Sequence, residues 1–224
     1  MQADLSTVKA LLFDLDGTLI DSSADIAASA NELRRLVNLA PLPLETVSSY
    51  IGDGIESLVR RVLGDSFEPQ TPELVDHFRN YYHEHCVDAT RLYEGVSATL
   101  SLLQQRGYRM AVVTNKPERI SQRILELLKV SGYFSALIGG NTCERKKPDQ
   151  QPLAEACRRM GVELRSSCMI GDSRVDVEAG KNAGMMTLAL KGGIGDEQAM
   201  LQAGPYLVLQ AFGELPLHFK GTQG

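Results

Sequence analysis

The chain has 224 residues, a formal charge of −5 and ordinary proportions of apolar and charged residues, a balance expected of a globular protein with a core domain and a smaller accessory one. The acidic balance argues against a nucleic-acid or membrane-surface partner, and no apolar run approaches the length of a membrane span. No secretory leader is evident, and Cys86, Cys143, Cys157 and Cys168 are scattered without CxxC spacing, so reduced thiols in a cytoplasmic protein are expected rather than a disulfide or zinc framework.

The first predicted element is the apolar run VKALLFD, residues 8–14, which leads into Asp14-Leu15-Asp16-Gly17. Side chains two apart on a strand face the same way, so Asp14 and Asp16 are expected to point at one spot beyond the sheet edge. Two carboxylates that close need a cation, or one of them holds a proton. The pair suits a hard divalent ion or a nucleophile beside a proton donor, and is equally compatible with one capping and one solvated aspartate.

Residues 20–92 show helical periodicity and no convincing strand. SSADIAASANELRRLV places Ile26, Ala30, Leu33 and Val37 on one helical face. PLPLETV reads as a turn and a helix start, IESLVRRVLG as a helix ending at glycine, and TPELVDHFRNYYHEHC as an amphipathic helix with Thr71 as its N-cap. His83 and His85 stand two apart, diverge on a helix and are expected to be structural or solvated. This segment is expected to form a helical insertion, residues 20–92, within a core made of 1–19 and 93–224.

Beyond residue 93 the chain alternates. Short apolar runs at 108–114, 134–139, 167–172 and 185–191 are separated by helical patterns at 94–106, 117–130, 151–161 and 174–183, and a further strand and helix close the chain. This predicts an α/β fold: a Rossmann-like parallel sheet covered by helices on both faces. In such sheets the strands' C-terminal ends lie on one edge, where ligands bind. Thr114 and Asn115 close the 108–114 strand and suit an anionic oxygen, or a simple helix cap. Lys147 precedes a proline and a helix, and Asp172 and Asp176 open GDSRVDVEAGKNAG. With Asp14 and Asp16, these two are expected to form a four-carboxylate cluster relieved by a divalent cation and Lys147. KGGIGDE, residues 191–197, lacks the lysine pattern of a phosphate loop and is expected to be a flexible connection at the site's edge.

DLDGTLIDS, VVTNKP, KKPDQQP and GDSRVDVEAGKNAG, in this order, resemble the four motifs of the haloacid dehalogenase superfamily over essentially the whole chain. The insertion is similar to the α-helical cap of one subclass, and YIGDGIESLVRRVLG resembles the corresponding stretch of phosphoglycolate phosphatases. Gln150 stands where the family often has proline, and Gly180 where it commonly has alanine; both concern helix geometry rather than chemistry. The resemblance implies a Mg²⁺-dependent phosphatase with Asp14 as nucleophile and Asp16 as acid and base. Mg²⁺ would be held by the Asp14 carboxylate, the Asp16 backbone carbonyl and Asp172, supported by Asp176. Thr114, Asn115 and Lys147 would hold the phosphoryl oxygens.

The family's dehalogenases lack an acid at the position of Asp16, so its presence favours phosphate esters. No lysine lies between Lys9 and Lys116, which closes the Schiff-base route of the phosphonate-cleaving relatives and argues mildly against a mutase. In the cap, Gly52, Asp53 and Gly54 with Arg60 or Arg61 would meet substrate, or form a helix-opening turn with two surface arginines. The expected substrate is a small phosphorylated metabolite, 2-phosphoglycolate first. A phosphomutase of the β-phosphoglucomutase type, and phosphatases of sugar phosphates, nucleotides or pyrophosphate, are the alternatives. A monomer or homodimer is expected.

Overall fold

The structure is a computed structural model that describes residues 5–64 and 71–221. Its strands are β1 (Ala10–Phe13), β2 (Ile20–Asp21), β3 (Arg91–Leu92), β4 (Arg109–Val113), β5 (Ala136–Ile138), β6 (Ser167–Gly171), β7 (Met186–Leu190) and β8 (Leu207–Leu209). Six of them form one parallel sheet in the order β5-β4-β1-β6-β7-β8. Every residue of β1 and β6 is buried, as strands covered on both faces require. Alternate residues feed opposite layers: Leu11 and Phe13 join the core that includes Leu100, Leu103, Ile120 and Ile124, whereas Ala10 and Leu12 join Leu153, Ala156 and Met160.

The helices are α1 (Ser23–Leu36), α2 (Leu44–Ser48), α3 (Ile55–Leu63), α4 (Thr71–Glu84), α5 (Val96–Gln105), α6 (Glu118–Leu127), α7 (Gln151–Met160), α8 (Arg174–Asn182), α9 (Glu197–Gln202) and α10 (Leu215–His218). α3 ends at Gly64, whose positive φ closes the last turn. α4 is described from Thr71 on, and the expected N-cap role of the Thr71 side chain lies outside the described residues. α8 seats against β6 and β7 through Gly180, where a Cβ would fall 2.2 Å from the Thr187 methyl; alanine does not fit there.

One expectation for residues 20–92 is corrected. They hold both β2 and β3, and these two-residue strands pair antiparallel, Ile20 with Leu92 and Asp21 with Arg91. Alternation cannot show in two residues, so the sequence carried no strand signal there. Asp25, buried at the start of α1, reinforces this junction. Its carboxylate accepts from the Ala89 and Thr90 N–H groups at 2.8 Å each and from the Thr90 hydroxyl at 2.7 Å. Among the described residues no helix is long and apolar enough to cross a membrane, and all four cysteines are free thiols.

Candidate active site

β1 lies between β4 and β6, where the chain's order across the sheet reverses, so the crevice beyond its C-terminal end is the expected ligand position. The strand ends at Phe13, paired with Val112 on one side and Ile170 on the other. Asp14 follows, still tied to the sheet by its N–H to the Ile170 carbonyl at 2.9 Å. The same register brings Thr114 and Asp172, each just beyond its own strand, to either side of it.

Asp14, Asp172 and Asp176 each present a carboxylate oxygen within 4.8 Å of the others. Asp16 does not join them, which corrects the expected four-carboxylate cluster. The strand has already ended, and the chain turns tightly, with the Leu19 and Ile20 N–H groups both donating to the Leu15 carbonyl. Alternation therefore no longer applies, and the Asp16 carboxylate faces elsewhere. It receives the Ser22 hydroxyl and the Lys116 ammonium, each at 2.5 Å. Lys116 also donates to the Tyr82 hydroxyl of α4 at 2.7 Å.

Each carboxylate of the cluster is held differently. Asp172 accepts the Thr18 hydroxyl at 2.8 Å and the N–H groups of Ile194 and Gly195 at 2.9 Å. The 191–197 loop therefore reaches the site's edge, as expected, but is tied there. Asp176 accepts the Ser173 N–H and hydroxyl in a capping box at the start of α8, and its other oxygen lies 2.6 Å from the Lys147 ammonium. Asp14 is the exception. Lys147 sits 2.9 Å from its Oδ1, yet that buried oxygen has no hydrogen bond of acceptable geometry.

Burial, Asp176 and Asp172 push the Asp14 carboxyl up to about 8 against the opposing pull of Lys147. Burial and Asp176 push Asp172 up to about 6, against its N–H and hydroxyl donors. Burial works against the charged form of Lys147, but Asp14 and Asp176 outweigh it and hold the ammonium above its usual range. Lys116 follows the same logic through Asp16 and Tyr82.

Counted as ions, four aspartates and two lysines leave two negative charges, which one divalent cation matches. The donors are all oxygens, the set a hard divalent cation takes, and one of them, Asp14 Oδ1, is unsatisfied. The residues present thus fit such an ion.

The remaining expected residues divide. Thr114 lines the cavity above the cluster, and its hydroxyl accepts the Lys116 N–H at 3.2 Å. Asn115 lines it too, but both amide N–H groups are committed, to the Gly52 carbonyl at 2.9 Å and the Lys147 carbonyl at 3.0 Å, while its oxygen accepts the Lys147 N–H. It braces the Lys147 loop and reaches Gly52, so the expected phosphoryl contact through its side-chain amide donors is corrected. Gly52 and Gly54 line the cavity. Asp53 and Arg61 do not: they pair with each other at 2.5 Å, both exposed. The expected substrate contact through Arg61 is therefore not formed. Arg60 is likewise exposed.

Sequence reasoning missed Lys116, Tyr82, Thr18 and Ser22. Lys116 had a signal, since it directly follows the strand-end pair Thr114–Asn115. Tyr82 had none, because only the packing of α4 over the crevice brings it there.

A parallel sheet with a buried aspartate cluster and two buried lysines at its switch point defines a phosphoryl-transfer type of site. The model for haloacid dehalogenase-like hydrolases matches residues 11–190. A phosphoglycolate phosphatase of Neisseria meningitidis is 37% identical over 228 residues, covering 100% of this chain and 97% of that one. One of Aquifex aeolicus is 40% identical over 186 residues, covering 83% and 86%. The crystal structure of a predicted phosphoglycolate phosphatase from Haemophilus somnus superposes with a TM-score of 0.87 at 30% identity, covering 93% of this chain and 96% of that one. The chain belongs to the haloacid dehalogenase-like hydrolase family, and it is a phosphoric monoester hydrolase resembling the phosphoglycolate phosphatases.

Proposed function

We propose that the protein hydrolyses a small phosphomonoester, 2-phosphoglycolate first, with Mg²⁺ and through a phosphoryl group carried on Asp14. The observation that carries this reading is Asp14 itself. It is the one carboxylate of the cluster left without a well-directed hydrogen bond, and it lines the cavity beside a buried ammonium. The similarity to relatives named phosphoglycolate phosphatases supports the substrate.

In the first step the Asp14 carboxylate forms a bond to phosphorus as the bond to the ester oxygen breaks, and Asp16 gives its proton to that oxygen. In the second, water attacks phosphorus, Asp16 takes the water's proton, and phosphate leaves with Asp14 restored. Lys147 offsets the charge of the phosphoryl oxygens and keeps Asp14 in place, while Thr114 offers a hydroxyl at the same edge. Asp14, Asp172 and the Asp16 backbone carbonyl would hold Mg²⁺, with Asp176 supporting. When bound, that ion supplies the charge neutralisation that lets a carboxylate approach a phosphate dianion. Residues 20–92 act as a cap that closes over the crevice and excludes water during the first step. The cavity beneath it is about 60 Å³, which favours a small substrate.

The test is phosphate release from a panel of phosphomonoesters, including 2-phosphoglycolate, with Mg²⁺ and with chelator. Release is expected with Mg²⁺ only, and Asp14→Asn is expected to lower it by at least about 1000-fold. Retained activity in Asp14→Asn, or no release from any ester, overturns the reading.

A further inference from the structure

The cavity between cap and sheet holds a cation that the phosphoryl chemistry does not use. Lys116 leaves the C-terminal end of β4 and is 6% exposed. Its ammonium lies 2.5 Å from Asp16 Oδ1, 2.7 Å from the Tyr82 hydroxyl and 4.9 Å from the Tyr82 ring centre. All three residues line the cavity. The cap's contribution to the wall is otherwise largely apolar: Ile26, Ile51, Ile55, Leu58 and Phe78. An ammonium in such surroundings is costly unless negative charge and hydrogen bonds accompany it.

In this structure Asp16 and the Tyr82 hydroxyl are the groups that meet that ammonium, all three facing the cavity. The leaving alcohol that Asp16 serves as general acid lies beside the same ammonium. Two of the three ammonium N–H groups go to Asp16 and Tyr82, so a third is there for a ligand.

Resting on the proposed phosphatase reading and on Asp16 as its acid, we propose that Lys116 and the Tyr82 hydroxyl form a subsite for a carboxylate on the leaving alcohol. The site thereby selects phosphate esters of short 2-hydroxy acids over esters of neutral alcohols. In a 2-hydroxy acid the carbon that bears the ester oxygen is bonded directly to the carboxylate carbon, so the two oxygen groups are close neighbours. Asp16 and Lys116, in direct contact, are placed to take one each. The substrate carboxylate shares the Lys116 ammonium with Asp16 while Asp16 passes its proton to the alcohol oxygen. The released acid keeps its carboxylate, and Asp16 regains a proton from water in the second step. Lys116 is held in its cationic form by Asp16 and Tyr82, so it binds as a charge and does not act as an amine nucleophile. The role assigned from sequence to a cap arginine thus falls to a core lysine, and Arg61 is tied to Asp53 outside the cavity.

The test compares kcat/KM for 2-phosphoglycolate and for propyl phosphate, a neutral ester of similar size, in the wild type, Lys116→Gln and Tyr82→Phe, all with Mg²⁺. The wild type is expected to prefer the carboxylate-bearing ester. Lys116→Gln is expected to cut that preference by roughly 10- to 100-fold, mostly through KM, the size of a lost charge-assisted hydrogen bond. Tyr82→Phe, which keeps the ring, is expected to cut it by a smaller factor, about threefold or more. Equal losses on both esters in Lys116→Gln would mean that Lys116 acts only through Asp16, and overturn the subsite. A wild type without preference for the carboxylate overturns it as well. Should Lys116→Gln not fold, the ratio in Tyr82→Phe decides: an unchanged ratio sinks the proposal. Failure of the phosphatase reading is distinct, since neither ester would then release phosphate.

Discussion

Asp172 is held so closely that two glycines are needed around it. A Cβ at Gly17, whose φ is +83°, would fall 2.0 Å from its Oδ2, and one at Gly193 would fall 2.3 Å from the same atom. Gly193 is the cleaner probe because its own φ is unexceptional, so alanine there perturbs the carboxylate and not the backbone. Gly193→Ala is expected to shift Asp172 off its N–H donors and lower phosphate release by about 100-fold, the effect of roughly an ångström's misplacement in a reacting site. The thermal midpoint should move little. Unchanged activity would show that Asp172 need not be held where it is. Gly17 stands in the DLDGT stretch and Gly193 in one expected to be a flexible connection, and their purpose is visible only once Asp172 is seen between them.

The pairing of β2 with β3 shows how little regular structure is needed when one side chain does the joining. β2 and β3 pair over two residues each, and Asp25 at the start of α1 binds both N–H groups and the hydroxyl of Ala89–Thr90, just before β3. Asp25→Ala leaves three donors without their acceptor, two of them on buried Thr90, so a loss of about 2–4 kcal/mol in denaturant unfolding is expected, with a smaller loss for Asp25→Asn. A change below about 0.5 kcal/mol would mean that water or local rearrangement replaces the carboxylate. The long apolar strands and amphipathic helices were legible because their periodicity persists over many residues. β2, β3 and the Asp25 staple were not, because their stability comes from a partner some 65 residues away.

For the molecule as a whole, the aspartate cluster ties stability to pH and to metal. The folded-state values of Asp14 and Asp172 are raised, to about 8 and about 6, by burial first and by neighbouring carboxylates second. A raised carboxylate means that the folded state binds more protons than the unfolded state between the ordinary value near 4 and the raised one. In chelator, this contribution to stability is present at low pH and lost as pH rises through that window. A divalent cation competes with those same protons, so its stabilisation must grow in the same direction. The Mg²⁺-induced rise in thermal midpoint is therefore expected to be larger at pH 8 than at pH 5.5, and to shrink at both in Asp172→Asn. An equal rise at the two values would argue that Mg²⁺ binds away from the cluster.

The sequence alone determined the parallel sheet, the amphipathic helices and the identity of the residues that gather at the sheet edge. Each depends on local pattern: strand-length apolar runs, helical periodicity, and polar residues placed where strands stop. Tertiary structure decided which way those residues face. Asp16 leaves the cluster because β1 ends at Phe13 and the chain turns, Asn115 becomes a brace because Gly52 and the Lys147 backbone converge on it, and Arg61 meets Asp53 rather than the cavity. Lys116 and Tyr82 come together across 34 residues because α4 packs over the end of β4. Direction, partner and burial at such positions are set by packing between distant segments, and no local pattern encodes them.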